Sequence, residues 1–353
     1  MSKFFSEKFS SLVPYVPGEQ PKEREYIKLN TNESPFPPSP TAIKLASEQA
    51  QKLYLYPDPD LKDLTKALSE YYGVGTENII VGNGSDEVLN FAFMAYCDKA
   101  TPAIFPDITY GFYKVFASIN NVPYSEIPLK EDFTINANDY LNQKATVFIA
   151  NPNAPTGIAL SLAEVEKLLS ANKERVVVID EAYVDFGGVS AVSLIDKYDN
   201  LLVTQTFSKS RSMAGARLGV GIASKGIISD LVNIKYSLNP YNVNRMTASA
   251  GIGSIKDDKY FNDNRQAVIE NREWATEELV KLGFKCTPSL ANFIFCKSER
   301  IGGEELYLKL KEKGILVRHF KQERIKDYNR ITVGSKAQMS TLIETVKQIL
   351  EDK

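Results

Sequence analysis

Leu201-Leu202-Val203-Thr204-Gln205-Thr206-Phe207, then Ser208-Lys209-Ser210, then a Gly- and Ala-rich segment that carries Arg217 and ends in Leu218-Gly219-Val220-Gly221-Ile222-Ala223, is the stretch around which the chain is organised. The apolar run has the length and β-branched content of a buried strand, so Lys209 falls where that strand ends and a loop begins. Loops at the carboxyl ends of strands are where α/β folds carry chemistry. Most loop lysines are simply solvated. Where neighbouring positive charge and desolvation lower its pKa, however, the amine forms a Schiff base with an aldehyde, and Arg217 is the candidate source of that charge.

The second decisive stretch is Arg175-Val176-Val177-Val178-Ile179-Asp180-Glu181-Ala182-Tyr183. Four consecutive β-branched residues predict a strand buried on both faces, which delivers Asp180 to the carboxyl edge of a parallel sheet, near the arrival point of Lys209. A carboxylate placed so deep needs a cationic partner. Between the two strands, Ala191 to Tyr198 reads as helix, a right-handed crossover.

A third strand, Asn78 to Val81, runs into Gly82-Asn83-Gly84-Ser85-Asp86-Glu87 and a helix from Val88 to Ala95. Strand, glycine loop and helix is the arrangement whose free backbone N–H groups cradle a phosphate. The plainer alternative is that Ser85 caps the helix, with Asp86 and Glu87 favouring its dipole. Neither G-x-G-x-x-G nor the terminal Lys of a nucleotide loop is present. Ala103 to Pro106 is a further strand, followed by Asp107-Ile108-Thr109-Tyr110-Gly111-Phe112-Tyr113, where a tyrosine can cover a flat ring or lie in the core. Ala145 to Ala150 leads into the rigid turn Asn151-Pro152-Asn153-Ala154-Pro155-Thr156-Gly157, and Ser161 with Glu164 forms a capping box for the next helix.

Composition narrows the chemistry. With 43% apolar and 24% charged residues over 353 positions, the chain is an ordinary globular protein, long enough for one large domain and a smaller one. A net charge of -2 gives no reason to bind nucleic acid or an anionic membrane. Cys97, Cys286 and Cys296 have neither disulfide-framework nor zinc-site spacing, which points to a reducing compartment; no signal-like or membrane-spanning run is visible, so a cytoplasmic location is expected. His319 is the only histidine, in a strand-like run, so multi-histidine metal sites are excluded and acid/base work falls to Lys, Tyr or a carboxylate.

The remaining order predicts an N-terminal arm over residues 1–30, a large domain over 31–260 and a small α+β domain over 261–353, with short alternating strands after Gly283. Helices are predicted over Thr41 to Lys52, Leu61 to Tyr72 (apolar stripe Leu61, Leu64, Ala67, Leu68, Tyr71), near Ile227 to Lys235, over Asn242 to Lys256, and from Tyr260 to Leu282.

One sheet edge thus gathers an amine at Lys209, a carboxylate at Asp180, a phosphate cradle at Gly84, Ser85 and Asp86, and a second anion site in Thr206, Ser208 and Arg217. Pyridoxal 5′-phosphate needs all of them. With Leu12-Val13-Pro14-Tyr15, Leu29-Asn30-Thr31-Asn32-Glu33, Tyr56-Pro57, Pro155-Thr156-Gly157 and Arg330-Ile331-Thr332-Val333-Gly334, these motifs resemble, almost end to end, the fold-type I aminotransferases, and most of all the histidinol-phosphate aminotransferase family.

The resemblance implies a large domain with a mostly parallel sheet flanked by helices, and a homodimer working by ping-pong between an amino donor and a 2-oxo acid such as 2-oxoglutarate. It implies that Lys209 carries the cofactor, Asp180 pairs with the pyridinium nitrogen, Tyr183 meets the ring oxygen and Tyr110 stacks on the ring. Ser85, Asp86, Thr206, Ser208 and Arg217 would hold the phosphate, joined by Tyr56 from the other subunit. Arg330 and Arg318 would grip the substrates' anionic ends, and Tyr15 and Asn32 would help close the site. One position departs: the family carries Asn immediately before Pro-Thr-Gly, where this chain has Ala154, and Asn153 is the candidate replacement. Aromatic amino acid aminotransferases and phosphothreonine decarboxylases share these motifs, and a cofactor-binding ligand sensor or a nucleotide-binding α/β protein are the readings of another class.

Overall fold

The strand leading to Lys209 lies inside a seven-stranded sheet. The computed structural model describes residues 2–10, 12–21 and 23–352. In chain order its strands are β1 (Ile27–Lys28), β2 (Ile79–Gly82), β3 (Ala103–Pro106), β4 (Tyr124–Ile127), β5 (Thr146–Ala150), β6 (Val177–Asp180), β7 (Leu201–Thr206), β8 (Gly219–Ala223), β9 (Phe284–Cys286), β10 (Phe293–Ser298), β11 (Ile315–Leu316), β12 (Arg318–His319) and β13 (Asn329–Thr332). The helices are α1 (Pro40–Ala50), α2 (Lys62–Tyr72), α3 (Ser85–Tyr96), α4 (Phe112–Ile119), α5 (Leu162–Ala171), α6 (Lys225–Leu238), α7 (Arg245–Lys256), α8 (Asp258–Lys281), α9 (Gly303–Glu312) and α10 (Lys336–Glu351).

The large sheet has the order β2-β8-β7-β6-β5-β3-β4. From β7 to β4 its strands are parallel, while β8 runs antiparallel to both β7 and β2. Every residue of β5, β6 and β8 is buried, because apolar side chains leave both faces and both faces are covered. The alternation is visible residue by residue: Val177, Ile179, Leu201 and Val203 enter one apolar cluster with α2 and α5, whereas Val178 and Leu202 enter another with α3 and α6. Ser161 and Glu164 form the expected capping box at the start of α5.

A second sheet, β12-β13-β10-β9, is antiparallel and packs with α8, α9 and α10 around a third apolar cluster. β1 pairs in parallel with β11, Ile27 opposite Ile315, which ties the segment before Asn30 to the C-terminal part of the chain. The residue 260/261 boundary expected from sequence falls three residues into α8 (Asp258–Lys281). Further along that helix, the Arg272 guanidinium donates to the Phe186 and Ala291 carbonyls at 2.8 and 2.9 Å, linking the two sheets' surroundings. No helix among the described residues is long and apolar enough to cross a membrane.

Three local expectations differ. The crossover between β6 and β7 is not an α-helix but two 3-10 turns, Val184–Phe186 and Ala191–Leu194. Gly187 at φ 134 breaks the chain direction there, and the Glu181 carboxylate takes the Ala191 N–H. Tyr71 leaves the apolar stripe of α2 and is exposed, its ring stacked by the Arg211 guanidinium at 4.7 Å. β4, which the sequence did not announce, is the sheet's outermost strand and mostly exposed, so it lacks the continuous apolar run of its neighbours.

Candidate active site

Parallel register brings the two decisive strands to one edge. Asp180 is opposite Thr204 of β7, and two residues further Thr206 ends that strand, so Thr206, Ser208 and Lys209 leave the sheet beside the Asp180 carboxylate. From α3 come Ser85 and Asp86, and from the entry to α4 comes Tyr110. Together with Tyr183 and Arg217 these side chains line one cavity of about 400 Å³. The Lys209 Nζ lies 5.8 Å from the centre of the Tyr183 ring.

Asp180 is 4% exposed, and no described residue supplies the cationic partner that its depth calls for: its oxygens accept from the Tyr113 hydroxyl at 2.9 Å and the Thr204 hydroxyl at 3.1 Å. Burial pushes this carboxyl up to about 6, while those two hydrogen bonds oppose the rise. A buried, neutrally hydrogen-bonded carboxylate facing a cavity is an arrangement that a cationic nitrogen on a ligand completes.

At the other end of the cavity the groups suit an anion. α3 begins at Ser85 with no side-chain cap, which leaves the Ser85 and Asp86 N–H groups to an anion while the Glu87 N–H donates to the Gly84 carbonyl at 3.3 Å, and the simple Ser85 cap is not what forms. The loop is held by close approach: Gly84 has φ +83 and a Cβ there would stand 2.7 Å from Arg217 Nη2, while a Cβ on Gly219 would stand 2.1 Å from the Ser85 nitrogen. β8 and the Arg217 side chain thus rest directly on the turn. Arg217 itself is left-handed (φ 56) and reaches Asp86 Oδ2 at 3.2 Å and Ser208 Oγ at 3.5 Å. The Thr206 hydroxyl donates to Ser208 Oγ at 3.0 Å. Asp86 spends its carboxylate on Arg217 and on the Tyr110 hydroxyl at 2.7 Å, so what it offers a phosphate is its backbone N–H.

A second cavity, about 430 Å³, shares Tyr15, Thr31, Tyr110, Ala154, Tyr183 and Lys209 with the first and is walled by Asn32, Arg318, Phe320 and Arg330. Asn32 donates from its amide to the Tyr183 hydroxyl at 2.9 Å. Arg318 donates to the Val16 and Pro17 carbonyls at 3.2 and 3.1 Å, holding the arm, and Tyr15 packs on Phe112 with ring centres 4.4 Å apart. Arg330 donates to the Asn30 carbonyl at 3.1 Å, and its Nε is buried without a partner.

Three expected residues line neither cavity, and of these Gly84 acts from beneath, as the turn against which Arg217 rests. Asn153 is consumed within the fold: its amide donates to the Ile108 carbonyl and accepts from the Thr109 hydroxyl, both in the loop after β3, and donates to Thr156 Oγ1 in its own turn, so Ala154 alone of this pair faces the cavities. Both Asn151-Pro152 and Ala154-Pro155 are cis. Tyr56 is 77% exposed, stacked on Tyr241 at 4.6 Å and turned away from its own chain's cavities. Three residues were given no role by the sequence reading. Tyr113 and Thr204 hold Asp180; their positions, three residues from Tyr110 and two from Thr206, place them near the site but do not mark Asp180 as their partner. Glu33 lines the first cavity, bonded to Lys28 and Thr31; burial raises its pKa, but those bonds and the Lys28 and Lys209 charges bring it net below its ordinary value. Among the described residues no cluster of His, Cys, Asp or Glu could hold a metal ion.

An amine, a buried carboxylate and an anion cradle around one cavity at the edge of this sheet are what amino-group transfer on a phosphorylated carbonyl cofactor requires, and the family model described as aminotransferase class I and II matches residues 24–346: the chain belongs to that family. Within it, the chain falls with the histidinol-phosphate aminotransferases. It is 51% identical to the histidinol-phosphate aminotransferase of Brachyspira hyodysenteriae over the full length of both chains, and 46% identical to that of Clostridium acetobutylicum over 99% of this chain and 100% of the other. In fold it resembles the histidinol-phosphate aminotransferase of Sinorhizobium meliloti, solved in complex with pyridoxal-5′-phosphate, with TM-score 0.90 and 22% identity, covering 100% of this chain and 99% of that one.

Proposed function

We propose that this chain is a pyridoxal 5′-phosphate-dependent transaminase that takes the amino group of histidinol phosphate and passes it to a 2-oxo acid, 2-oxoglutarate being the expected acceptor. The observation that carries this reading is the convergence of Lys209, Asp180 and Arg217 on one cavity, with no cation among the described residues paired to Asp180. The near-full-length identity to histidinol-phosphate aminotransferases supports the choice of donor.

The residues fit the cofactor. Ser85, Asp86, Thr206, Ser208 and Arg217 hold its phosphate through N–H, hydroxyl and guanidinium donors. Asp180, kept in place by Tyr113 and Thr204, stabilises a protonated ring nitrogen; Tyr183, itself oriented by Asn32, donates toward the ring oxygen; and Tyr110 covers the ring face. Ala154 brings no amide, so that oxygen depends on Tyr183. When bound, the cofactor supplies an electron-poor ring that accepts the electron pair left at the substrate's Cα. Lys209 Nζ, at the edge of the cavity, would take the proton from the substrate's Cα and hand it back on the same face. Arg330 and Arg318 hold the anionic ends of donor and acceptor, and Tyr15 with the arm excludes water.

The same reading includes a homodimer. Leu53, Tyr54, Leu55, Tyr56, Tyr236 and Tyr241 are exposed together with large apolar area, as expected of a covered interface, and Tyr56 of one subunit then reaches the partner's phosphate site. It also includes the division into an arm, a large cofactor domain and a small domain meeting in α8, and a cytoplasmic location. Lys209→Ala removes the cofactor's visible absorbance band and nearly all turnover. Purified protein assayed side by side with histidinol phosphate, phenylalanine and tyrosine should favour the first by kcat/KM; equal or greater efficiency with an aromatic amino acid overturns the choice of donor, and full activity in Lys209→Ala overturns the whole reading.

A further inference from the structure

Outside both cavities, β9 and β10 set two of the chain's three cysteines side by side. Cys286 and Cys296 are direct cross-strand partners. The adjacent backbone bond from Thr287 N–H to the Phe295 carbonyl, 3.0 Å, makes theirs a pair that exchanges no backbone hydrogen bonds. In such pairs the Cα atoms lie about 4.5 Å apart with both side chains on one face. A disulfide needs roughly 4.4–6.8 Å between Cα atoms. The neighbouring Cys296 thiol holds the Cys286 thiol below its usual pKa against the effect of burial, while Cys286 and burial together push Cys296 well above. β9 is the outer strand of its sheet, and Cys286 is half-buried while Cys296 and Cys97 are buried.

We propose that Cys286 and Cys296 are a reversible oxidation site that closes a cross-strand disulfide when the protein meets a peroxide. The Cys286 thiolate attacks one peroxide oxygen, the O–O bond breaks, and the sulfur becomes a sulfenic acid while the second oxygen leaves as hydroxide. That hydroxide takes the Cys296 proton to form water. The Cys296 sulfur then attacks Cys286, the S–S bond forms, the S–O bond breaks, and the departing hydroxide leaves as a second water after protonation from solvent. Each sulfur has lost one electron and the peroxide has gained two. A small-molecule or protein dithiol returns the pair to thiols. In a reducing compartment such a bond is transient, which is the behaviour of a sensing or protective pair. It joins the outer strand to the strand whose Phe293 packs edge-on against Tyr183 at 5.1 Å.

The test uses the cofactor-loaded protein treated with hydrogen peroxide, then denatured so that the buried thiols are reached, alkylated with iodoacetamide and digested with trypsin. Cleavage after Lys285 and Lys297 puts both cysteines in one peptide. The expected result is that peptide unalkylated and lighter by two hydrogens, regaining two alkyl groups after dithiothreitol, with Cys97 alkylated throughout. Two alkyl groups on the peptide from a sample whose methionines have oxidised overturns the proposal, and so does a sulfinic acid at Cys286 beside an alkylated Cys296. Cys296→Ser removes the partner and should leave Cys286 at the sulfenic or sulfinic stage; since the wild-type peptide alone decides, a poorly folding variant leaves the test intact.

Discussion

Replacing Tyr113 by Phe removes a single hydroxyl and keeps the ring's packing against Tyr110 and Phe148. That hydroxyl is the 2.9 Å donor to Asp180, whose carboxyl burial pushes up to about 6. A hydrogen bond to a charged group contributes about 1.5–3 kcal/mol and a pKa unit corresponds to about 1.36 kcal/mol, so its loss lifts the Asp180 carboxyl to roughly 7–8. At pH 7 the ionised fraction falls from about nine-tenths to between about a half and a tenth. Cofactor binding draws on the ionised form, so affinity at pH 7 drops about two- to tenfold and returns toward wild type as pH approaches about 9. Titrating apo-protein with cofactor between about pH 5.5 and 9, wild type against Tyr113→Phe, cancels the cofactor's own ionisations in the difference. Superimposed profiles would refute the argument, and so would a loss of affinity equal at every pH, since that is what a packing defect gives.

Three further outcomes follow from the same geometry. Glu181, buried and bonded to Ser190, Gln205 and the Ala191 N–H, has a carboxyl that burial pushes up to about 7. Its raised folded-state value means the associated stability is full below about 4.5 and is lost as pH rises through about 7, an effect of ~3 kcal/mol; denaturant midpoints of apo wild type should decline across that window more steeply than those of Glu181→Gln, and parallel declines would count against it. Gly219→Ala sets a Cβ 2.1 Å from the Ser85 nitrogen, so β8 must back away from the start of α3, costing about 1–3 kcal/mol of stability and at least about tenfold in cofactor affinity; unaltered affinity with an unaltered melting temperature would deny the cradle. Arg330→Lys loses the bidentate fork while keeping the charge, and should raise KM for a phosphorylated donor by about tenfold or more with a smaller change in kcat; an unchanged KM removes Arg330 from the substrate site.

Much of the sheet was legible because β5, β6 and β7 are buried on both faces and so carry uninterrupted β-branched and apolar runs, a signal that ends where Asp180 and Lys209 begin. β4 gave no such signal because one side of it faces solvent, and the 3-10 turns after Asp180 were misread as helix because Ala191 to Tyr198 has helical composition but not the length to outweigh Gly187, Gly188 and the Glu181 carboxylate. Propensity describes a segment alone. What set these segments was a neighbour supplied by another part of the chain.

The site divides along the same line. Lys209, Asp180 and the Gly84 turn could be read because each sits at the end of a strand, where chain direction alone decides which edge a side chain reaches. Tyr113 and Thr204 could not be assigned that way, since their role is a hydrogen bond across elements, and the sequence has no mark for which face of α4 meets β6. Asn153 shows the opposite limit: an amide one residue from the expected position was a candidate for reaching the ring, yet Thr109, Ile108 and Thr156 claim its donors and acceptor before the cavity can. In a buried turn every amide atom must be satisfied, and partners that the fold itself brings into place, here from the loop after β3 as well as from the turn, win over a ligand that arrives after folding. Tyr183, by contrast, keeps its hydroxyl at the cavity because Asn32, itself fixed in the left-handed region and hydrogen-bonded to Thr332, gives it a donor from the side and leaves its own proton free to point inward.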